Sequence, residues 1–138
     1  YNYSQKGYDI IIGTRKTKQS RIDKKQPFLR RFFGMGFVYL AKILFPSLLD
    51  ITDFTCGFKL FKGEKGKKIF KLQKIDRWGF DVEIILISKI FKLKIFQLPV
   101  VWKNLRNSKV NLKKDIISSF LDLMKIKKLE IIGYYKNE

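Results

Sequence analysis

Residues 8–13 form a short apolar run, YDIIIG, that is closed by a glycine. Consecutive isoleucines favour a strand, because β-branched side chains pack well on a pleated sheet. An apolar run of this kind predicts a strand that is buried on both faces, as in the sheets of α/β proteins. Helical patterns and further strand-like runs alternate along the rest of the chain. The sequence therefore predicts an α/β fold.

The remaining elements are predicted from periodicity and from breaker residues. Helices are predicted over residues 27–45, 80–91 and 111–128, with a shorter one over 65–72. Strands are predicted over residues 57–61 and 94–102, and Pro99 puts the second of these at an edge of the sheet. Residues 14–26 and 103–110 are predicted to be basic loops. Neither an internal repeat nor a Gly/Ser linker divides the 138 residues, so a single domain over 1–138 is predicted.

The predicted helix over 27–45 is apolar over an unusually wide surface. Pro27 suits a first turn, where its missing N–H is not needed, and Pro46 ends the pattern. Such a wide apolar surface indicates either deep burial or contact with a membrane. Arg30, Arg31 and Lys42 interrupt the segment, so it falls short of a membrane-spanning helix.

The charge of the chain points to anionic partners, and its composition excludes several chemistries. The net charge is +18, which suits phosphates, nucleic acid or an acidic membrane surface. One cysteine, Cys56, excludes an internal disulfide and a cysteine zinc site, and the absence of histidine excludes histidine catalysis. Most of the cations are lysines, and a general bias of the composition towards lysine and isoleucine can account for them. The arginines are therefore the more informative residues.

Arg15 follows the first predicted strand directly. Ligands of open α/β sheets bind beyond the carboxyl ends of the strands, and the planar fork of arginine suits a phosphate. The alternative is a solvated loop arginine. Arg30 and Arg31 open the predicted helix, where a cation opposes the helix dipole by about 0.3–1 kcal/mol. A phosphate or an anionic lipid would offset that cost, and the alternative is a pair of side chains that extend into water.

Two runs combine acids, bases, glycines and aromatics in a way that core packing does not require: DFTCGFKLF at 53–61 and RWGFDVEII at 77–85. Asp53 could orient an arginine or a sugar hydroxyl, or it could be a turn aspartate. Gly57 would let backbone approach a ligand. Asp81 and Glu83 lie at a helix start, where the dipole alone is a sufficient reason for acids.

From about residue 8 to about residue 128 the chain resembles the acceptor-side half of a family-2 glycosyltransferase. The runs are most similar to those of dolichyl-phosphate β-glucosyltransferases and bacterial polyprenyl-phosphate relatives, which commonly read DTQCGFKLF in the first run. The resemblance implies the C-terminal part of a GT-A fold, a Rossmann-like nucleotide-diphospho-sugar transferase fold. It also implies that the donor-binding half lies before Tyr1.

The resemblance assigns roles to individual residues. In GSR, the family's counterpart of Gly13-Thr14-Arg15, the arginine binds the acceptor phosphate, and Arg30 aligns with a second arginine that faces the same phosphate. The family has GSK where this chain has Asn107-Ser108-Lys109, which makes Lys109 a candidate for the donor phosphates. Asp53, Asp81 and Glu83 are the candidate catalytic acids. An ionised phosphate acceptor hardly needs a base, so orientation or charge balance with Arg77 is the role expected of the acidic pair.

The implied reaction transfers a hexose from a nucleotide sugar to a polyprenyl phosphate at the cytoplasmic face of a membrane, with the chain bound peripherally or anchored by segments outside it. The family implies Mg²⁺ or Mn²⁺ bound by an Asp-x-Asp motif; this chain contains none, so the ligands are expected outside it. A fragment of this kind is expected to be inactive alone. The alternative function is a non-enzymatic basic module that binds nucleic acid or an anionic membrane.

Overall fold

A computed structural model describes residues 6–22, 28–76, 78–103 and 112–136, without the side chains of Ile22, Arg30, Leu112 and Lys113. Five strands are described: β1 Ile10–Thr14, β2 Arg21–Ile22, β3 Lys59–Phe61, β4 Ile95–Pro99 and β5 Val101–Trp102. Four α-helices are described: α1 Phe28–Leu44, α2 Gly63–Leu72, α3 Phe80–Ile90 and α4 Leu112–Ile131. Short 3₁₀ helices cover Pro46–Leu48 and Tyr134–Lys136. The predicted mixed α/β character is therefore confirmed.

The strands form two small sheets. In the larger sheet the order is β3-β1-β4, with β3 antiparallel and β4 parallel to the central strand β1. The smaller sheet pairs β2 with β5 in parallel. Strand β2 lies within residues 14–26, a segment predicted to be a loop, whereas β5 lies within the strand predicted over 94–102. All five residues of β1 are buried, as predicted for the apolar run. Pro99 ends β4, which is an edge strand among the described residues, so that prediction is also confirmed.

Helix α3 lies at the centre of the core. Every residue from 82 to 88 is buried, because the helix is apolar on all sides and has α2, α4 and the first 3₁₀ helix against it. The inner side of α1 packs on α4 and contributes Ala41, while Phe45 follows the helix into the core. Helix α4 runs longer than predicted and buries Leu123 and Ile126, whereas Phe120 is exposed.

Two glycines allow close approaches. A Cβ at Gly13 would lie 2.7 Å from Cys56 Sγ and 3.1 Å from Val100 Cγ1, so glycine lets the segment before β3 pack against β1. A Cβ at Gly79 would lie 2.5 Å from the Cβ of Asp122, whose carboxylate accepts a hydrogen bond from Gly79 N at 3.1 Å. Gly79 thereby lets α4 lie against the start of α3.

Candidate functional site

The candidate site lies at one edge of the larger sheet. The parallel strands β1 and β4 both end there, and the antiparallel strand β3 begins there. This geometry brings Arg15, which follows β1, to the same edge as the segment before β3 and as Trp102 of β5. Ligands of open α/β sheets bind beyond the carboxyl ends of the strands, which makes this edge the candidate site.

Asp53 binds Arg15 through both carboxylate oxygens. Arg15 Nε donates to Oδ2 at 2.7 Å, Nη2 donates to Oδ1 at 2.8 Å, and the Arg15 backbone N–H donates to Oδ2 at 3.1 Å. Thr55 Oγ1 accepts a further hydrogen bond from Nη2 at 3.0 Å. The Asp53 side chain is fully buried, and that of Arg15 is 17% exposed. Of the two roles considered for Asp53, the structure shows the arginine contact; contact with a sugar hydroxyl stays a prediction.

The edge of the Arg15 guanidinium that carries Nη1 is available to a ligand in the described part of the structure. No described residue accepts a hydrogen bond from Nη1, and the guanidinium carbon lies 5.3 Å from the ring centroid of Trp102. The side chain is thus held in one orientation by Asp53, Thr55 and the indole ring. A fixed, partly exposed arginine of this kind can present the two N–H groups of Nη1 to an anion.

The pKa values of Arg15 and Asp53 shift in the directions expected for an ion pair. Burial would raise the pKa of Asp53, but the hydrogen bonds and the charge of Arg15 lower it below its ordinary value. The hydrogen bond to Asp53 raises the pKa of Arg15. Loss of water around the amine lowers the pKa of the otherwise exposed Lys16, and repulsion from Arg15 and Lys42 lowers it further. Arg15, Lys16 and Lys42 therefore create a local positive potential around one buried carboxylate.

A polar chain fixes the segment that carries Asp53. Thr14 Oγ1 lies 2.7 Å from Thr52 Oγ1, and Gln97 Oε1 accepts hydrogen bonds from Thr52 N at 2.8 Å and from Thr52 Oγ1 at 2.7 Å. Gln97 Nε2 donates to the carbonyl of Asp50 at 2.8 Å. Sequence reasoning found no role for Gln97. The sequence placed it in the strand predicted over 94–102, and the structure places that residue on β4 beside β1.

The two acids of the second run occupy different environments. Asp81 accepts a hydrogen bond from Lys59 Nζ at 2.7 Å, and its side chain is 23% exposed. Glu83 is fully buried and accepts hydrogen bonds from Lys74 N, Ile75 N and the Tyr135 hydroxyl, the last at 2.6 Å. Burial and the Glu83 carboxylate raise the pKa of Tyr135. Glu83 therefore ties α3 to the segment after α2 and to the second 3₁₀ helix, which is a structural task.

Several of the predicted site side chains lie outside the part of the chain that the structure describes. Arg77 and Lys109 lie outside the described residues, and the side chain of Arg30 in the first turn of α1 is not described. The expected convergence of Arg15 and Arg30 thus stays a prediction. Gly57 shows open space around the position of a Cβ, so no described neighbour requires glycine there. Cys56 is buried, as expected for a small core residue.

Neither a metal site nor a membrane span is found in the ranges that the structure describes. Their aspartates, glutamates and Cys56 form no group of three or more that could hold a metal ion. No helix within these ranges is both long enough and apolar enough to cross a bilayer.

The sequence comparisons bear directly on this site. No protein-family model matches the chain. Dolichyl-phosphate beta-glucosyltransferase ALG5A of Trichomonas vaginalis is 37% identical over 127 residues, which are 92% of this chain and 38% of the relative. The dolichyl-phosphate beta-glucosyltransferase of Dictyostelium discoideum is 31% identical over 92% of this chain and 38% of its own length. That of Saccharomyces cerevisiae is 32% identical over 82% of this chain and 33% of its own length.

The chain spans about a third of the length of the curated relatives it matches. These relatives confirm the resemblance of the two runs, and they give no support to a basic nucleic-acid-binding module. The chain is a homologue of one part of the dolichyl-phosphate β-glucosyltransferases.

Proposed function

We propose that this chain forms the acceptor side of an enzyme that transfers glucose from a nucleotide sugar to a dolichyl-type polyprenyl phosphate. The names of the relatives supply the activity, the sugar and the lipid acceptor. The proposal rests on the geometry of Arg15. Asp53 and Thr55 hold its side chain at the carboxyl end of β1, and no described residue accepts a hydrogen bond from Nη1. As its architecture we propose the C-terminal part of a GT-A fold.

The chemistry requires the phosphate to be bound and aimed. A phosphate monoester is largely ionised near pH 7, so one of its oxygens can attack the anomeric carbon of the donor sugar without a general base. The bond from that carbon to the nucleoside diphosphate breaks, the new carbon–oxygen bond forms on the opposite face, and the nucleoside diphosphate leaves with the electron pair. Arg15, Lys16 and Lys42 would hold the acceptor phosphate, with Arg30 as a further proposed contact.

The family implies Mg²⁺ or Mn²⁺ at the donor diphosphate. The described residues do not fit such an ion, because their acids do not converge on one point. Asp53 accepts hydrogen bonds from Arg15, and Asp81 accepts one from Lys59 through Oδ1. Glu83 accepts hydrogen bonds from backbone N–H groups and from Tyr135. We therefore assign no step of the reaction to a metal held by these residues, and Lys109 stays the proposed contact for the donor phosphates.

The proposed acceptor is a membrane lipid, and the outer side of α1 suits a membrane surface. Its outward-facing side chains follow one another at helical spacing and are 48–78% exposed: Phe28, Phe32, Met35, Tyr39 and Ile43. Cationic Arg31 and Lys42 belong to the same helix. An apolar helix face beside cations lies well in the headgroup region of an anionic bilayer. We propose that α1 rests on the cytoplasmic face of the membrane.

A vesicle-binding experiment tests the acceptor proposal on residues 1–138 themselves. Phosphatidylcholine vesicles would carry polyprenyl phosphate, the uncharged polyprenol, or phosphatidylglycerol at matched surface charge. We expect about tenfold or tighter binding to the polyprenyl phosphate vesicles than to either control, since the proposed Arg15 site would recognise the terminal phosphate monoester, which the phosphodiester phosphatidylglycerol lacks. Equal binding to both anionic vesicles would contradict a phosphate-monoester site.

Transfer itself is tested in a chimaera. This chain would replace the matching segment of the Trichomonas vaginalis relative, and labelled glucose from UDP-glucose would be followed into dolichyl phosphate. Transfer at a rate comparable to that of the parent enzyme supports the proposal. A folded chimaera that binds UDP-glucose and transfers nothing would refute it.

A further inference from the structure

Lys59 connects the two sequence runs that characterise the chain. It lies at the start of β3, in the first run, and donates from Nζ to the carbonyl of Cys56 at 2.6 Å and to Asp81 Oδ1, in the second run, at 2.7 Å. Its side chain is only 6% exposed. Most lysines of this strongly basic chain need no partner, since water solvates them. A lysine enclosed to this extent requires partners, because an unpaired buried ammonium is very costly.

Among the described residues, only one oxygen of the Asp81 carboxylate has a partner. Lys59 holds Asp81 Oδ1, and no described residue donates a hydrogen bond to Oδ2. The Asp81 side chain is partly exposed, at 23%, so a ligand can reach it. Lys59 also reaches the carbonyl of Cys56, and the neighbouring Thr55 accepts a hydrogen bond from Arg15 Nη2 at 3.0 Å. The Lys59–Asp81 pair is therefore linked through residues 55 and 56 to the position at which Arg15 would hold the acceptor phosphate, and the charge of Asp81 contributes to the raised pKa of Arg15.

We propose that Lys59 is a positioning residue, which orients Asp81 so that Oδ2 accepts a hydrogen bond from a hydroxyl of the glucose being transferred. The inference rests on the proposed function, since it places the transferred sugar beside the acceptor phosphate. A carboxylate that can rotate freely binds a hydroxyl without strict direction. A carboxylate fixed at Oδ1 by a buried ammonium presents Oδ2 in one direction and so selects one hydroxyl of the sugar.

This arrangement makes a prediction about substrate selection. A site built to hydrogen-bond one hydroxyl rejects the analogue that lacks it, because its own polar group is then left unpaired. The chimaera described above would be assayed with UDP-glucose and with its 2-, 3-, 4- and 6-deoxy analogues. We expect one analogue to lose kcat/KM by about tenfold to a hundredfold in the wild-type chimaera, the range of one hydrogen bond to a charged group.

The variants separate positioning from simple loss of stability. Lys59→Met keeps the length of the side chain and removes the charge, and we expect it to lower kcat/KM for UDP-glucose while the penalty for that one analogue falls below about threefold. Asp81→Asn should have the same effect. The double variant Lys59→Met with Asp81→Asn should lose little more kcat/KM or discrimination than Asp81→Asn alone. Lys59→Arg should restore part of the discrimination. Lys65→Met, which removes a lysine paired with Asp9 at a 46% exposed position, is the matched control and should keep it.

The outcomes decide the inference separately from the proposed function. A wild-type chimaera that transfers glucose, with a Lys59→Met variant that discriminates among the analogues as the wild type does, overturns the role of Lys59. If the wild-type chimaera transfers nothing, the proposed function fails, and a crystal structure of residues 1–138 with Lys59→Met decides the positioning. A displaced Asp81 carboxylate supports the inference, and an unmoved one overturns it.

Discussion

At the scale of single residues, the Arg15–Asp53 pair explains why an arginine after β1 suits the capture of a phosphate. An arginine loses much rotamer freedom when it binds a ligand, and a preformed contact removes part of that loss beforehand. Asp53 uses Nε and one N–H of Nη2, so the side of the fork that carries Nη1 stays available. The pair is nearly neutral as a whole, and Lys16 and Lys42 supply the remaining positive charge that a phosphate dianion requires.

Replacing Asp53 by Asn should destabilise the protein by about 1.5–3 kcal/mol, since Arg15 loses its charged acceptor. Asp50→Asn is the matched control, because the Asp50 side chain is 61% exposed in its ion pair with Lys89 and should contribute less than about 1 kcal/mol. Urea denaturation measured by circular dichroism gives both values. Equal losses for the two variants would mean that the buried pair has no special part in stability.

The same carboxylate makes stability depend on pH. Because the folded-state pKa of Asp53 is lowered, its contribution is complete above the ordinary value of 3.8 and is lost as the pH falls below that value towards the folded pKa. Asp9, whose pKa is also lowered by Lys65 although burial acts against it, loses its contribution in the same range. Below about pH 4, the free energy of unfolding should fall less steeply with decreasing pH for Asp53→Asn than for the wild type. Parallel curves would contradict this assignment.

Arg15→Ala should weaken binding to vesicles that contain polyprenyl phosphate by about tenfold to a hundredfold, the loss of a charge-assisted contact of about 1.5–3 kcal/mol. Arg30→Ala should do the same if its side chain reaches the same phosphate. Lysine at either position should restore binding only in part, because it lacks the planar fork. In the chimaera, the affinity for UDP-glucose should stay unchanged; a parallel loss of donor affinity would indicate a folding defect instead.

Residue-level prediction succeeded where a motif joined an unusual residue to a strand end, and failed where composition hid the signal. Arg15 could be singled out because it follows a buried strand. Lys59 could not, because it is one lysine among many in a basic chain and only its burial distinguishes it. The polar contacts of Thr52 and Gln97 join residues 45 apart in the sequence, a separation over which local patterns carry no information.

At the scale of elements, the structure shows how the wide apolar surface of helix α1 is divided between the core and the outside. The apolar pattern over 27–45 predicted one wide surface, either buried or in contact with a membrane. In the structure the helix has two apolar sides: Phe37, Leu40 and Ala41 pack towards the core, and the opposite stripe is exposed. Sequence periodicity could not separate the sides, because a helix that is apolar nearly all round has no clear polar face to set its orientation.

Replacing both Phe28 and Phe32 by Asp should release the protein from anionic vesicles while leaving its thermal unfolding nearly unchanged, since the two rings are 78% and 57% exposed. Val101→Asp, at a 71% exposed position on β5, is the control and should leave vesicle binding intact. Phe37→Asp would not serve, because Phe37 packs against the core and its loss would unfold the protein. Retained binding by the double variant in a vesicle flotation assay would remove α1 from the membrane surface.

At the scale of the whole molecule, the sheet edge at the ends of β1 and β4 joins segments that lie far apart in the sequence. Residues 13–16, 52–59, 81 and 102 meet there. The alternation of strands and helices predicted the fold class, and the rule for strand ends predicted the location of the site. Strand β2, and with it the pairing of β2 with β5, was missed, since a two-residue strand within a basic loop carries no periodicity.

The coverage of the relatives leads to a prediction about division of labour within the enzyme. This chain matches about a third of the length of each relative, and its described carboxylates form no group of three or more that could bind a metal. Residues 1–138 should therefore bind vesicles with polyprenyl phosphate but show no micromolar affinity for UDP-glucose, with or without Mg²⁺, in titration calorimetry. The chimaera should bind both, because the segments of the relative outside the exchange would supply the donor contacts that Asp81 and Lys109 alone cannot provide. Micromolar binding of UDP-glucose by residues 1–138 alone would assign the donor site to this part of the enzyme and would contradict an acceptor-side role.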